Sequence, residues 1–81
     1  METRVAVISI IVEDPSCTTE LNELLHEYGN FIIGRMGLPY REKNINIISV
    51  AIDASQDVIS TLSGKLGKIK GLSVKTAYSK V

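Results

Sequence analysis

The sequence has one cysteine, one histidine and no tryptophan, and these shortages exclude several kinds of site. Cys17 cannot form an internal disulfide, which fits a reducing compartment. Without a second cysteine there is no CxxC pair, so a copper or zinc carrier of that type is excluded. His26 alone cannot build a tetrahedral metal site unless several subunits contribute ligands. We therefore predict that the protein has no metal site and no cofactor.

Long hydrophobic runs are also missing. No apolar run approaches the ~20 residues that a membrane helix needs. The chain begins with a strand-like pattern and not with a basic region followed by an apolar signal segment. These features predict a cytoplasmic protein without membrane contact. The 81 residues, 44% of them apolar, suit one globular domain spanning residues 1–81.

The net charge is zero, but the two halves of the chain differ in sign. Residues 1–40 hold two basic and six acidic side chains, and residues 41–81 hold seven basic and three acidic ones. Such asymmetry can mark a side that faces an anion or a nucleic acid. Pairing between subunits explains it equally well, so both interpretations stay open.

Hydrophobic periodicity predicts six elements in the order β-α-β-β-α-β. We expect strands over residues 4–12, 31–38, 45–52 and 72–79, with one helix between residues 14 and 29 and another between residues 53 and 71. Asp14 or Ser16 is the expected cap of the first helix, and Asp53 with Gln56 has the form of a capping box for the second. Pro39 is expected to end the second strand, because proline cannot donate to an internal ladder.

This order of elements predicts the α+β class. It is typical of the ferredoxin-like βαββαβ fold, in which both helices lie on one face of a four-stranded antiparallel sheet. Right-handed crossovers leave few other arrangements for this order.

Several activities known on this fold lack their residues here. "SGKLGKIKG" (63–71) does not have the Walker spacing, since Lys65 and Lys68 are followed by Leu and Ile. An acylphosphatase needs an anion cradle with an arginine after the first strand, where this chain has "VEDPSC". RNA-recognition motifs stack bases on aromatic residues of their central strands, and the first and third strands have none. We therefore predict that the protein is neither an enzyme nor an RNA binder.

Two stretches resemble known regulatory proteins. "VEDPSCTTELNELLHEYGNFI" (12–32) is similar to the opening of an ACT-type regulatory domain, although Ser16 replaces the glycine that usually follows the proline. "NELLHEYGNFIIGRMGLPYREKNINII" and "LSGKLGKIKGLSVKTA" resemble the iron-only hydrogenase system regulator family, whose members are small stand-alone ACT-like proteins related in fold to the C-terminal domain of the nickel-responsive repressor. The resemblance implies an ACT-like fold and a regulatory role. The ACT-type resemblance makes Asp14 and Ser16 of this loop candidate residues for binding a ligand or partner.

The segment "GRMGLPYRE" (34–42) is the second candidate site. Gly34 and Gly37 allow a close backbone approach or a bulge on an edge strand. Arg35 and Arg41 bracket Tyr40, and this combination can hold a carboxylate or a neighbouring subunit. A bulged strand that enters a hairpin explains the same residues without a ligand.

The leading hypothesis is a regulatory binding module that forms a homo-oligomer. In the first and third strands both alternating sets of residues are largely apolar, so helices on one face would leave the other face apolar and exposed. We therefore expect a dimer or tetramer, with a small effector or a protein partner at the subunit interface. The alternative is a nucleic-acid-associated transcriptional regulator that uses basic residues of the C-terminal half: Lys65, Lys68, Lys70, Lys75 and Lys80.

Overall fold

The computed structural model describes residues 2–80. Its strands are β1 (Arg4–Val12), β2 (Ile32–Tyr40), β3 (Ile45–Ala54) and β4 (Leu72–Tyr78), and its α-helices are α1 (Thr18–Glu27) and α2 (Gln56–Gly67). Single turns of 3-10 helix at Pro15–Cys17, Gly29–Phe31 and Arg41–Lys43 connect them. The predicted order of elements is confirmed.

The four strands form one antiparallel sheet in the order β2-β3-β1-β4. The rich content of Val and Ile explains why β1 and β3 occupy the centre, where both sides of a strand have neighbours. β2 and β4 are the edges. The α+β fold with a four-stranded antiparallel sheet and two helices agrees with the prediction.

The hydrophobic core lies on one face of the sheet, beneath both helices. β1 contributes every second residue from Ala6 to Val12, and β3 contributes every second residue from Ile48 to Ala54. From the helices, the fully buried side chains are Leu21, Leu25, Ile59, Leu62 and Leu66. Leu24 and Tyr28 also pack against this core, but they are only partly buried.

Several predicted strand boundaries were wrong by one or two residues, and two of these errors concern residues expected to end a strand or cap a helix. β2 does not end before Pro39 but continues to Tyr40, with Pro39 opposite Asn46. Since β2 is an edge strand, the missing N–H of Pro39 can face the unpaired side of the sheet without loss of a ladder bond. The cap of α2 is not Asp53, which lies within β3, but Ser55, whose hydroxyl accepts a hydrogen bond from the Val58 N–H at 3.3 Å.

Candidate functional site

The margin of the sheet at β2 carries a groove on the side of the helices. A bulge between Ile32 and Gly34 shifts the alternation of β2, so that Arg35 and Gly37 lie opposite the buried residues Val50 and Ile48. Both nevertheless remain exposed, because the helices leave this margin of the sheet uncovered. The groove has a volume of about 360 Å³ and is lined by Thr18, Asn22, Arg35, Gly37, Leu38, Pro39, Asn46 and Ile48.

Arg35 is the charged side chain of this groove. Its Nη2 donates a hydrogen bond to Asn22 Oδ1 of α1 at 3.1 Å. This bond holds the guanidinium across the groove, and it uses one of the five N–H donors that an arginine offers. Among the described residues, the lining includes no acidic side chain, and Pro39 and Ile48 give it apolar walls. The groove therefore has the chemistry to bind a carboxylate attached to a small apolar group.

A second, smaller depression adjoins the groove. It has a volume of about 140 Å³ and shares Pro39 and Asn46 with the groove. Tyr40 and Arg41 line it, and the Tyr40 hydroxyl donates to Glu42 Oε2 at 3.3 Å. The structure thus places Arg35 in one depression and Tyr40 and Arg41 in the adjoining one.

Asp14 and Ser16 have a local structural role. Asp14 Oδ1 accepts a hydrogen bond from the Ser16 N–H at 3.0 Å and so caps the 3-10 turn that precedes α1. This backbone hydrogen bond holds the pKa of Asp14 below its ordinary value, since it favours the charged carboxylate. Neither residue lines the groove or the smaller depression, although Pro15 between them lines the latter. Their predicted contact with a ligand stays a prediction.

Gly34 lies on the opposite face of the sheet from Arg35. It pairs with Ala51 and lines a shallow hollow of about 240 Å³ with Met36 and Ser49. A side-chain carbon built at Gly34 would have no atom within 4 Å, so the backbone makes no close approach there. The expected bulge on an edge strand is present, immediately before Gly34.

The face of the sheet opposite the helices is open and apolar. Among the described residues, nine large hydrophobic side chains are exposed, and seven of them lie on this face. These seven define the open face: Val5, Val7, Ile11, Met36, Leu38, Tyr40 and Ile47. Helices cover the other face, so the prediction that strands one and three present two apolar faces is confirmed.

Cys17 and His26 differ in their surroundings. Cys17 is buried, and burial together with the charge of Asp14 raises the pKa of its thiol, which disfavours a reactive thiolate. His26 is exposed on α1. Within residues 2–80 no cluster of three or more His, Cys, Asp or Glu side chains is arranged to hold a metal ion. The absence of tight metal binding stays a prediction.

The lysines of the C-terminal half do not form one surface. Lys65 and Lys68 line a groove whose other side is the acidic edge of α1, with Glu20, Glu23 and Glu27. Lys65 Nζ also lies 5.3 Å from the centre of the Tyr28 ring. Lys75 projects from the open face of β4, away from the helices.

In residues 2–80, no helix is both long and apolar enough to cross a membrane.

Comparison with known proteins places the chain in a family. The family model TM1266-like, described as "Iron-only hydrogenase system regulator, putative", matches residues 4–76. The chain belongs to this family. It is also similar to the solved structure of the uncharacterized protein TM1266 from Thermotoga maritima, with 40% identity and a TM-score of 0.93 over 98% of this chain and 100% of that one. No curated protein matches. The resemblance seen in the sequence is confirmed.

Sequence reasoning missed Asn22, the hydrogen-bond partner of Arg35, and Thr18, which lines the same groove. Thr18 and Asn22 are four residues apart on α1 and therefore share one side of that helix. This spacing was visible in the sequence, but the face of β2 that carries Arg35 was not, since one bulge residue moves every later side chain to the other face.

Proposed function

We propose that this TM1266-like protein is a regulatory binding module of an iron-only hydrogenase system. It acts as a homo-oligomer and is not itself a catalyst. Its effector is a small carboxylate, or a carboxylate of a protein partner, held in the groove between α1 and β2. The observation that carries this proposal is the position of Arg35, which donates a hydrogen bond to Asn22 in a groove whose described lining includes no competing acid.

The charge and shape of the groove support a carboxylate ligand. A guanidinium forms two parallel hydrogen bonds with a carboxylate, and such bonds are stronger than those between neutral groups. Asn22, Asn46 and Thr18 add polar groups that can recognise the rest of the ligand. The volume of about 360 Å³ falls at the small end of ligand pockets, which suits a metabolite of amino-acid size.

The surroundings of the reactive side chains support a binding role over catalysis. A general base and a nucleophile must lie within hydrogen-bond reach of each other. The Cys17 thiol donates instead to the Asp14 carbonyl at 3.0 Å and is buried. His26 is exposed on α1 and lines neither the groove nor the smaller depression.

Ligand screening followed by calorimetry tests the proposed function. Thermal-shift measurements with amino acids, small dicarboxylates, nucleotides and divalent metals identify a compound that raises the melting temperature, as expected when a ligand binds only the native state. We expect the compound to carry a carboxylate, and Arg35→Gln to weaken its binding at least tenfold. Arg41→Gln is the matched control, because Arg41 lies in the neighbouring depression, and it should leave the affinity within a factor of two or three.

Two results would contradict this function. Equal affinity in the wild type and in Arg35→Gln would place the ligand elsewhere. Retardation of DNA that weakens steeply between two salt concentrations, and that is lost when Lys68 and Lys70 are changed to Gln, would favour the nucleic-acid hypothesis instead.

A further inference from the structure

The open face of the sheet is the largest apolar feature that remains without a partner in residues 2–80. We propose that the open face of a second copy of this chain covers it, so that two sheets stack face to face. This inference rests on the self-association included in the proposed function and adds the surface through which it occurs. It does not depend on the effector groove, which lies on the other side of the sheet.

The open face has a protruding apolar row and a hollow, and the row of one copy can fit the hollow of a second copy. Leu38, Ile47 and Ile11 are neighbours across β2, β3 and β1, and together they form a raised apolar row. On the same face, four residues away along both β2 and β3, lies the hollow at Gly34 and Ala51. A two-fold axis brings the same patch of both copies together, so the raised row of each copy can enter the hollow of the other.

The positions of the raised row and the hollow determine where the two-fold axis between the two copies lies. Ser49 lies on β3 midway between Ile47 of the raised row and Ala51 of the hollow, and Ser9 is its partner on β1. An axis that exchanges the row and the hollow must pass between them. Ser49 of one copy is therefore expected to lie near Ser49 of the other.

The extent and charge of the face suit a second copy. The exposed apolar area is on the order of 500 Å², close to the largest patch that a typical monomer shows. A stable interface takes about 800 Å² from each partner with its polar rim. The charged side chains on this side of the strands are at the margins, with Lys75 on the edge strand β4 and Asp53 near the end of β3. This distribution is that of an apolar centre with a polar rim.

Stacking of faces is favoured over pairing along β2. The bulge after Ile32 and the ring of Pro39 interrupt the exposed edge of β2, and such features hinder the addition of another strand. Two stacked antiparallel sheets, in contrast, lie about 10 Å apart and interdigitate their side chains. In that arrangement the raised row of each copy packs into the hollow of the other.

The two glycines of β2 provide a matched pair of variants. Gly34 points to the open face and Gly37 to the helix side, and a side-chain carbon at either position has no atom within 4 Å. Gly34→Glu and Gly37→Glu therefore add the same charge to the same strand without a clash inside the monomer. Circular dichroism should show that both variants are folded.

Light scattering during size-exclusion chromatography then gives the mass of each protein. We expect the wild type and Gly37→Glu to have at least twice the chain mass of 8.9 kDa at micromolar concentration. Gly34→Glu should elute as a single chain, or at half the wild-type mass if the wild type is a tetramer. If Gly34→Glu keeps the wild-type mass, or both variants dissociate, the open face is not the interface, while self-association stands. A monomeric wild type overturns both the inference and the self-association.

Cross-linking tests the position of the axis. Ser49→Cys should be joined into a covalent dimer by a bis-maleimide reagent that spans about 10 Å, because stacked sheets place facing positions about 10 Å apart. Ser60→Cys, on the exposed side of α2, is the control and should stay largely uncross-linked. The wild type gives the background from buried Cys17. Equal cross-linking of the two variants, or none at Ser49→Cys in a protein that does dimerise, would refute the stacked arrangement.

Discussion

At the scale of the residue, the glycines show how position decides the role of one residue type. Gly71 has a φ of +93°, and a side-chain carbon there would lie 2.6 Å from Asp14 Cβ. The Gly71 carbonyl also accepts hydrogen bonds from the N–H groups of Glu13 and Asp14. Gly64, in contrast, lies within α2 with no atom near the place of a side-chain carbon. The sequence shows both as glycines near the end of a helix.

The contrast between Gly71 and Gly64 gives a prediction about stability. Gly71→Ala should lower the free energy of unfolding by about 1–3 kcal/mol, because alanine is strained at a positive φ and would displace Asp14. Gly64→Ala should raise it by roughly 0.5–1 kcal/mol, since alanine restricts the unfolded chain and favours the helix. Urea denaturation of both variants measures the two changes. Equal changes in the free energy of unfolding for the two variants would contradict the positive φ of Gly71, the residue that precedes β4.

At the scale of the element, periodicity predicted the type and order of every strand and helix, and the limits of β1 agree residue for residue. The errors fell at the ends, where one local hydrogen bond decides. Asp53 fitted a capping pattern, yet the alternation of β3 continues through Ala54 and leaves Ser55 to cap α2. Gly34 and Gly37 indicated that β2 could contain a bulge, but its position could not be predicted, because glycine permits a bulge without requiring one.

The corrected cap of α2 can be tested directly. Ser55→Ala should lower the free energy of unfolding by about 0.5–2 kcal/mol, because the N–H of Val58 loses its acceptor. Asp53→Ala is the matched control and should change it by less than ~0.5 kcal/mol, since Asp53 is exposed on β3. Thermal or chemical denaturation decides between them. If Asp53→Ala lowered the free energy of unfolding more than Ser55→Ala, the cap would be Asp53, as the sequence predicted.

At the scale of the whole molecule, the sequence predicted two apolar faces on the central strands but not which face the helices cover. The helices select the face of Ala6 and Ile48, because Leu21, Leu25 and the apolar side of α2 pack there. The candidate site was harder to predict. Arg35 was identified from its neighbours in the chain, whereas its contact with Asn22 depends on the bulge and on the placement of α1 beside β2.

The apolar area of the open face gives an estimate of the free energy that its burial contributes to association. Stacking two open faces removes about 500 Å² of apolar surface from water on each copy, about 1,000 Å² in all, which contributes on the order of 25 kcal/mol at ~25 cal/mol per Å², before the loss of translational and rotational freedom is counted. That loss amounts to ~4–15 kcal/mol. A micromolar or tighter dimer is therefore within reach of this one surface.

Sedimentation equilibrium of the wild-type chain over a range of micromolar concentrations tests the central claim, that the protein works as a self-associated module, most directly. We predict a mass that is a whole multiple of 8.9 kDa, at least two, and that falls toward 8.9 kDa only on strong dilution. A single species of 8.9 kDa at every concentration would contradict the account.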